Sequence, residues 1–121
     1  MAGSLPLIRW LSRSGGIDLY IDLGAEKLLT AEKDGDAIAV EIKSFLGPSF
    51  ISEFHTALGQ FLNYRYALAQ RKPAYELFLA VPVDVYQTFF TLTFTQGILT
   101  QYAIKILVYN PETEEVHQWI K

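Results

Sequence analysis

The chain has 121 residues, 50% of them apolar, with 13 acidic side chains against 10 basic ones and no cysteine. That length suits one domain, 1–121 with an irregular start over 1–16, and is enough to bury a real core. The net charge of −3 speaks against a strongly basic, non-specific nucleic-acid binder, and the lack of cysteine excludes disulfides, thiolate nucleophiles and Cys-based zinc sites. No apolar run approaches the roughly 18 residues of a membrane span. The opening MAGSLPLIRW lacks the basic start and apolar core of a secretory signal. The expectation is a cytoplasmic protein that makes no contact with a membrane.

In chain order, short strands are expected over 17–22, 27–33 and 37–45, parted by DLGAE and by KDGD, whose Asp34-Gly35 is a hairpin turn signal. Three sequential strands joined this way should be antiparallel. LGPSF then breaks the strand pattern, and Ser49 offers an N-cap for a helix over 50–70. Its apolar stripe is Ile51, Phe54, Leu58, Phe61, Leu62 and Leu68, which fits a 3.6-residue period. Arg71 and Lys72 close the helix where its dipole favours cations, and that placement explains them better than a phosphate site does.

YELFLAVP is a near-continuous apolar run, as expected of a buried strand that follows a helical crossover and lies parallel to an earlier strand. DVYQTFF and ILTQYA read as two short helices with an irregular join. IKILVYN is another buried strand, NPETEE a turn and EVHQWI a last short strand. The predicted order is β-β-β-α-β-α-β-β, an α/β (α+β) fold with a central mixed sheet flanked by helices.

The candidate chemistry lies in IAVEIKSF. Alternation along a strand puts Glu41 and Lys43 on one face with Ala39 and Phe45, and Ile38, Val40 and Ile42 on the other. The hairpin brings the start of the second strand near the end of the third, so Glu26 and Asp22 could approach this pair, whereas Glu32 sits near the turn in solvent. On the helix, Glu53, Ala57, Gln60 and Tyr64 form one seam beside the apolar stripe, and Gln60 and Tyr64 could support the pair from above. One or two carboxylates with water are what Mg²⁺ or Mn²⁺ uses, and such an ion promotes phosphodiester hydrolysis, with a lysine to orient water or neutralise phosphate. Bound cations also offset a net negative charge locally. Glu-x-Lys alone is a weak signal, since an exposed pair of this kind is worth only about 0–1 kcal/mol; the upstream acid and the Gln-x-x-x-Tyr helix strengthen it. His55 and His117 show no metal-ligand spacing and are read as packed or surface residues.

DLYIDLGAEKLLTAEK, IAVEIKSFLG, ISEFHTALGQFLNYR, LFLAVP and VHQWI together resemble the fdxN-element excision controlling factor family of XisH type, over Gly16 to Lys121. These are small cyanobacterial proteins similar in fold to restriction-endonuclease-like PD-(D/E)XK nucleases. The resemblance implies a role in excising a DNA element, alongside a site-specific recombinase and a small XisI-type protein. It places the nuclease motif on Glu41 and Lys43, with Gln60 and Tyr64 as the helix motif. The upstream acid, usually Asp after a small residue or proline, falls on Glu26 after Ala25, or on Asp22. Family members usually open with a helix, and nuclease folds often place an additional acid there. MAGSLPLIRWLSRSGG stands in its place, so the opening helix is read as missing and the site as open to catalytic impairment.

Three functions follow as expectations. The first is a DNA-element excision controlling factor, accessory to site-specific recombination. The second is an active Mg²⁺-dependent endonuclease cutting DNA phosphodiesters. The third is a non-catalytic interaction subunit that pairs with a small protein or as a homodimer, to which the aromatic TFFTLTF would contribute if exposed; a role for those rings in the core is preferred.

Overall fold

The structure, a computed structural model, describes residues 21–23, 26–33, 36–113 and 115–121, with side chains at 28–30, 37–113 and 115–121. The stretch read as lacking an opening helix, most of the first predicted strand and the Asp34-Gly35 turn lie outside the described residues. Within them the chain forms β1 (Ile21–Leu23), β2 (Glu26–Lys33), β3 (Asp36–Ile42), α1 (Phe50–Arg71), β4 (Tyr75–Pro82), α2 (Val83–Val85), a π-helical turn (Tyr86–Phe90), α3 (Thr93–Gln101), β5 (Ile106–Asn110) and β6 (Glu115–Ile120).

The strands make one mixed sheet whose spatial order follows the chain, β1-β2-β3-β4-β5-β6. The hairpin-connected strands β1, β2 and β3 pair antiparallel. The α1 crossover returns the chain so that β4 lies parallel to β3, and the second helical crossover sets β5 parallel to β4. The closing turn makes β6 antiparallel to β5, with a bulge between Val108 and Tyr109. The sheet is thus antiparallel at both ends and parallel in the middle.

Alternation divides the sheet residues between two faces. Leu28, Ala39, Leu77, Leu79, Val81, Ile106 and Val108 pack with the helices through Phe54, Ala57, Phe61, Tyr64, Leu68, Val85, Phe90 and Leu99. Leu29, Val40, Phe78, Ala80, Leu107 and Tyr109 form the cluster on the opposite face. Near-continuous apolar runs in β4 and β5 follow from burial on both faces.

The sequence misplaces two local features. The third strand ends at Ile42 rather than at 45, because Phe45 adopts a left-handed backbone with φ 57° and turns the chain toward α1. Such a conformation is costly for an L-residue, and burial of the Phe45 ring edge-on to Phe50 and Phe90, at 6.2 and 5.5 Å between centroids, offsets it. The core-facing stripe of α1 is Phe54, Ala57, Phe61, Tyr64 and Leu68, while Ile51 is exposed and Leu58 and Leu62 are only partly buried. A stripe centred on aliphatic residues misses the alanine that lets the helix approach closely and the tyrosine whose ring is mostly apolar.

Candidate functional site

Glu41 is held on β3 in parallel register with Leu79 of β4, on the face that carries Ala39 and α1. Only 6% of it is exposed, so it is one of the few buried ionisable residues described. Lys43 lies just past the strand, yet its backbone N–H still donates to the Ala80 carbonyl at 3.0 Å. That bond continues the ladder, and the Lys43 ammonium comes within 4.0 Å of the Glu41 carboxylate. A carboxylate taken out of water loses hydration that an amine at this distance replaces only in part. The protein thus places an ionisable side chain among apolar sheet neighbours.

Gln60 and Tyr64 come from α1, which crosses the same face. Ser49 caps this helix, its hydroxyl accepting from the Ser52 N–H at 3.3 Å. Glu53 in the first turn lies over Gly47, so closely that a Cβ there would collide with its carboxylate. The seam expected beside the stripe is partly inside the core: Ala57 and Tyr64 are buried among the sheet residues. Gln60 is partly buried, and its Oε1 is enclosed with no hydrogen-bond partner among the described residues. A buried amide oxygen is a demanding acceptor, and its helix covers the face that bears Glu41.

The register separates the two upstream acids. Glu26 lies two positions before Leu28 on β2, and Leu28 belongs to the helix-covered face; alternation therefore assigns position 26 to the face of Glu41. Asp22 pairs with Lys27, a position that alternates with Leu28 and so belongs to the opposite face. The side chains of Asp22 and Glu26 lie outside the described residues. Among those described, no group of three or more His, Cys, Asp or Glu is arranged to hold a metal. What the described residues provide is one buried carboxylate, a neighbouring ammonium and an orphaned amide oxygen. Oxygen donors of this kind fit a hard cation such as Mg²⁺ or Mn²⁺, which needs only one or two carboxylates and fills its shell with water.

Asp84 was not singled out from the sequence, although VPVD places it at the carboxyl end of a parallel strand, where ligands of open sheets gather. Its charge is felt by Tyr109 at the end of β5: burial pushes the Tyr109 phenol up from its usual value, and the Asp84 carboxylate pushes it the same way.

A family model described as XisH protein matches residues 10–117. No curated protein matches the chain. The fold is similar to the crystal structure of an XisH family protein from Nostoc punctiforme, with a TM-score of 0.82 and 42% identity over 95% of this chain and 99% of that one. It is equally similar to an FdxN element excision controlling factor protein from Anabaena variabilis, with a TM-score of 0.81 and 43% identity over 95% of this chain and 98% of that one. A family match over most of the sequence and two crystal structures with the same fold lead to one conclusion: the chain belongs to the XisH family.

Proposed function

We propose that this chain is a DNA-element excision controlling factor that carries a PD-(D/E)XK nuclease-like site and acts as an accessory to a site-specific recombinase. The observation that carries this is Glu41, a buried carboxylate kept on the helix-covered face of β3 with the Lys43 ammonium 4.0 Å away. Support for the role in excision comes from the similarity to the Anabaena variabilis protein. Glu41, joined by Glu26 from the neighbouring strand, would hold Mg²⁺ or Mn²⁺; Asp22, on the other face by register, is the weaker candidate. Bound there, the ion supplies Lewis-acid stabilisation of phosphate charge and makes a water more acidic. Lys43 neutralises an approaching phosphate oxygen. Gln60, whose enclosed Oε1 has no hydrogen-bond partner among the described residues, would support the site from the helix, and Tyr64 fixes the helix by packing in the core.

The test is a plasmid bearing the two ends of an excisable element, incubated with recombinase and Mg²⁺. Wild-type chain should raise the yield of excised circle and Lys43→Ala should not, while neither protein alone cuts the plasmid. Excision that is indifferent to the chain sinks the accessory role. The carboxylate–lysine pair also favours a second reading, an active endonuclease working without recombinase. Cutting by the chain alone, dependent on Mg²⁺ or Mn²⁺ and lost in Lys43→Ala, would establish that one instead.

A further inference from the structure

A cavity of about 370 Å³ opens at the carboxyl ends of the three parallel strands, beside Ile42, Pro82 and Tyr109. Its size is at the lower end of the range for small-ligand sites, and its position is where open sheets with parallel strands bind ligands. Phe45 and Phe50, packed edge to face, supply aromatic wall. Its polar groups are the Ser44 and Tyr109 hydroxyls and the Asp84 carboxylate, and no lysine, arginine or histidine lines it among the described residues. Thr88 donates its hydroxyl to the Asp84 carbonyl at 2.9 Å, which ties down the backbone that bears the carboxylate.

This lining selects the charge of its occupant. A phosphate or carboxylate would meet Asp84 with no countercharge, and DNA is excluded on the same ground. Asp84 is the one charged residue on the described lining, and it lies close enough to act on the Tyr109 phenol. Ring faces add attraction for a cation. The mouth then separates a free cation from one carried on a chain. Leu46 is 88% exposed there and Phe50 36%, and a small free cation leaves both wet.

We propose that this cavity docks a basic side chain, arginine or lysine, presented by a partner polypeptide whose flanking apolar residues cover Leu46 and Phe50. The proposal is independent of the Glu41 site and of the excision role. A direct test titrates the full-length ¹⁵N-labelled chain with acetyl-Leu-Arg-Leu-amide, acetyl-Leu-Glu-Leu-amide and methylguanidinium. The arginine peptide should shift the Ser44, Asp84 and Tyr109 amide resonances saturably, and the glutamate peptide should not. Asp84→Asn removes a charged partner from the exposed rim and should weaken binding by about two- to fivefold, with an unchanged melting midpoint showing that the fold is intact. Leu46→Ser should weaken the peptide and leave methylguanidinium unaffected. Equal binding of the two peptides, no effect of Asp84→Asn, or no saturable shift at millimolar peptide would overturn the proposal. So would methylguanidinium binding as tightly as the arginine peptide, since the occupant would then be a free small cation.

Discussion

Glu41 is a buried carboxylate whose proposed role in holding a metal would come at the expense of stability. A carboxylate loses several kcal/mol of hydration on burial, and the Lys43 ammonium at 4.0 Å offsets about 1–4 kcal/mol of that depending on the local dielectric. Glu41→Gln keeps the shape and hydrogen-bonding capacity while removing the charge. It should therefore stabilise the fold by about 1 kcal/mol and abolish Mn²⁺ binding and support of excision. Urea denaturation alongside an excision assay checks both; a destabilised variant would mean that the carboxylate is there for structure. At this scale the sequence showed Glu41 and Lys43 clearly, because alternation on a strand follows from backbone geometry alone. It did not show that Phe45 joins their face through a left-handed turn instead of a continued strand, since nothing about a phenylalanine announces a positive φ. Tyr64 was expected on a seam beside the apolar stripe and is part of the buried stripe itself, because hydropathy counts its hydroxyl and overlooks its ring.

Among the elements, α3 ends in a motif with one unfavourable residue. The Ile104 N–H bonds back to Leu99 at 2.9 Å and the Ala103 N–H to Thr100 at 3.2 Å, the paired bonds of a Schellman turn. Ala103 fills the left-handed position with φ 53°, where glycine is usual. Arg65 of α1 supports the turn, donating to the Tyr102 and Ala103 carbonyls at 2.8 and 3.0 Å. Glycine would relieve a left-handed strain of about 1–2 kcal/mol, while its freer unfolded chain costs roughly 0.4–1 kcal/mol. Ala103→Gly should then raise stability by about 0.5 kcal/mol, seen as a higher urea midpoint at unchanged slope. A lower midpoint would show that Arg65 and the cap leave no strain to relieve. The bounds of α1 were legible in advance because Ser49 and the Arg71-Lys72-Pro73 run are strong local punctuation. The π-helical turn falls within DVYQTFF, which was expected as a short helix; its wider geometry accompanies burial of the adjacent rings of Phe89 and Phe90 together and was not legible in advance.

Across the molecule, Glu76 on β4 links the start of β5 to the chain end: Lys105 lies 2.7 Å from one of its oxygens and Lys121 3.6 Å from the other. The Lys105 hydrogen bond, with the charges of both lysines, holds the Glu76 carboxyl below its ordinary value of 4.5. A lowered folded-state value means that its stabilisation is complete above the unfolded-state pKa and fades as pH falls through the folded one. With 42% of the side chain exposed, the effect should be under about 1 kcal/mol. Melting curves of wild type and Glu76→Gln should differ by a constant amount from neutral pH down to about pH 5 and converge below it; a gap that widens in acid would contradict this. The element order was legible across the whole chain, because turns give hairpins and helices give parallel crossovers. Which of the two upstream positions shares the face of Glu41 was not, since that depends on a strand register that the sequence does not print.

The agreement between chain order and sheet order has a consequence for synthesis. Each strand docks on the one made just before it, so no strand must be threaded between two already in place. A nascent chain can therefore build its sheet from one side as it leaves the ribosome, each addition templated by a finished edge. The last of these, β6, is laid against β5 through the turn at residues 111–113 and becomes the edge of the described sheet.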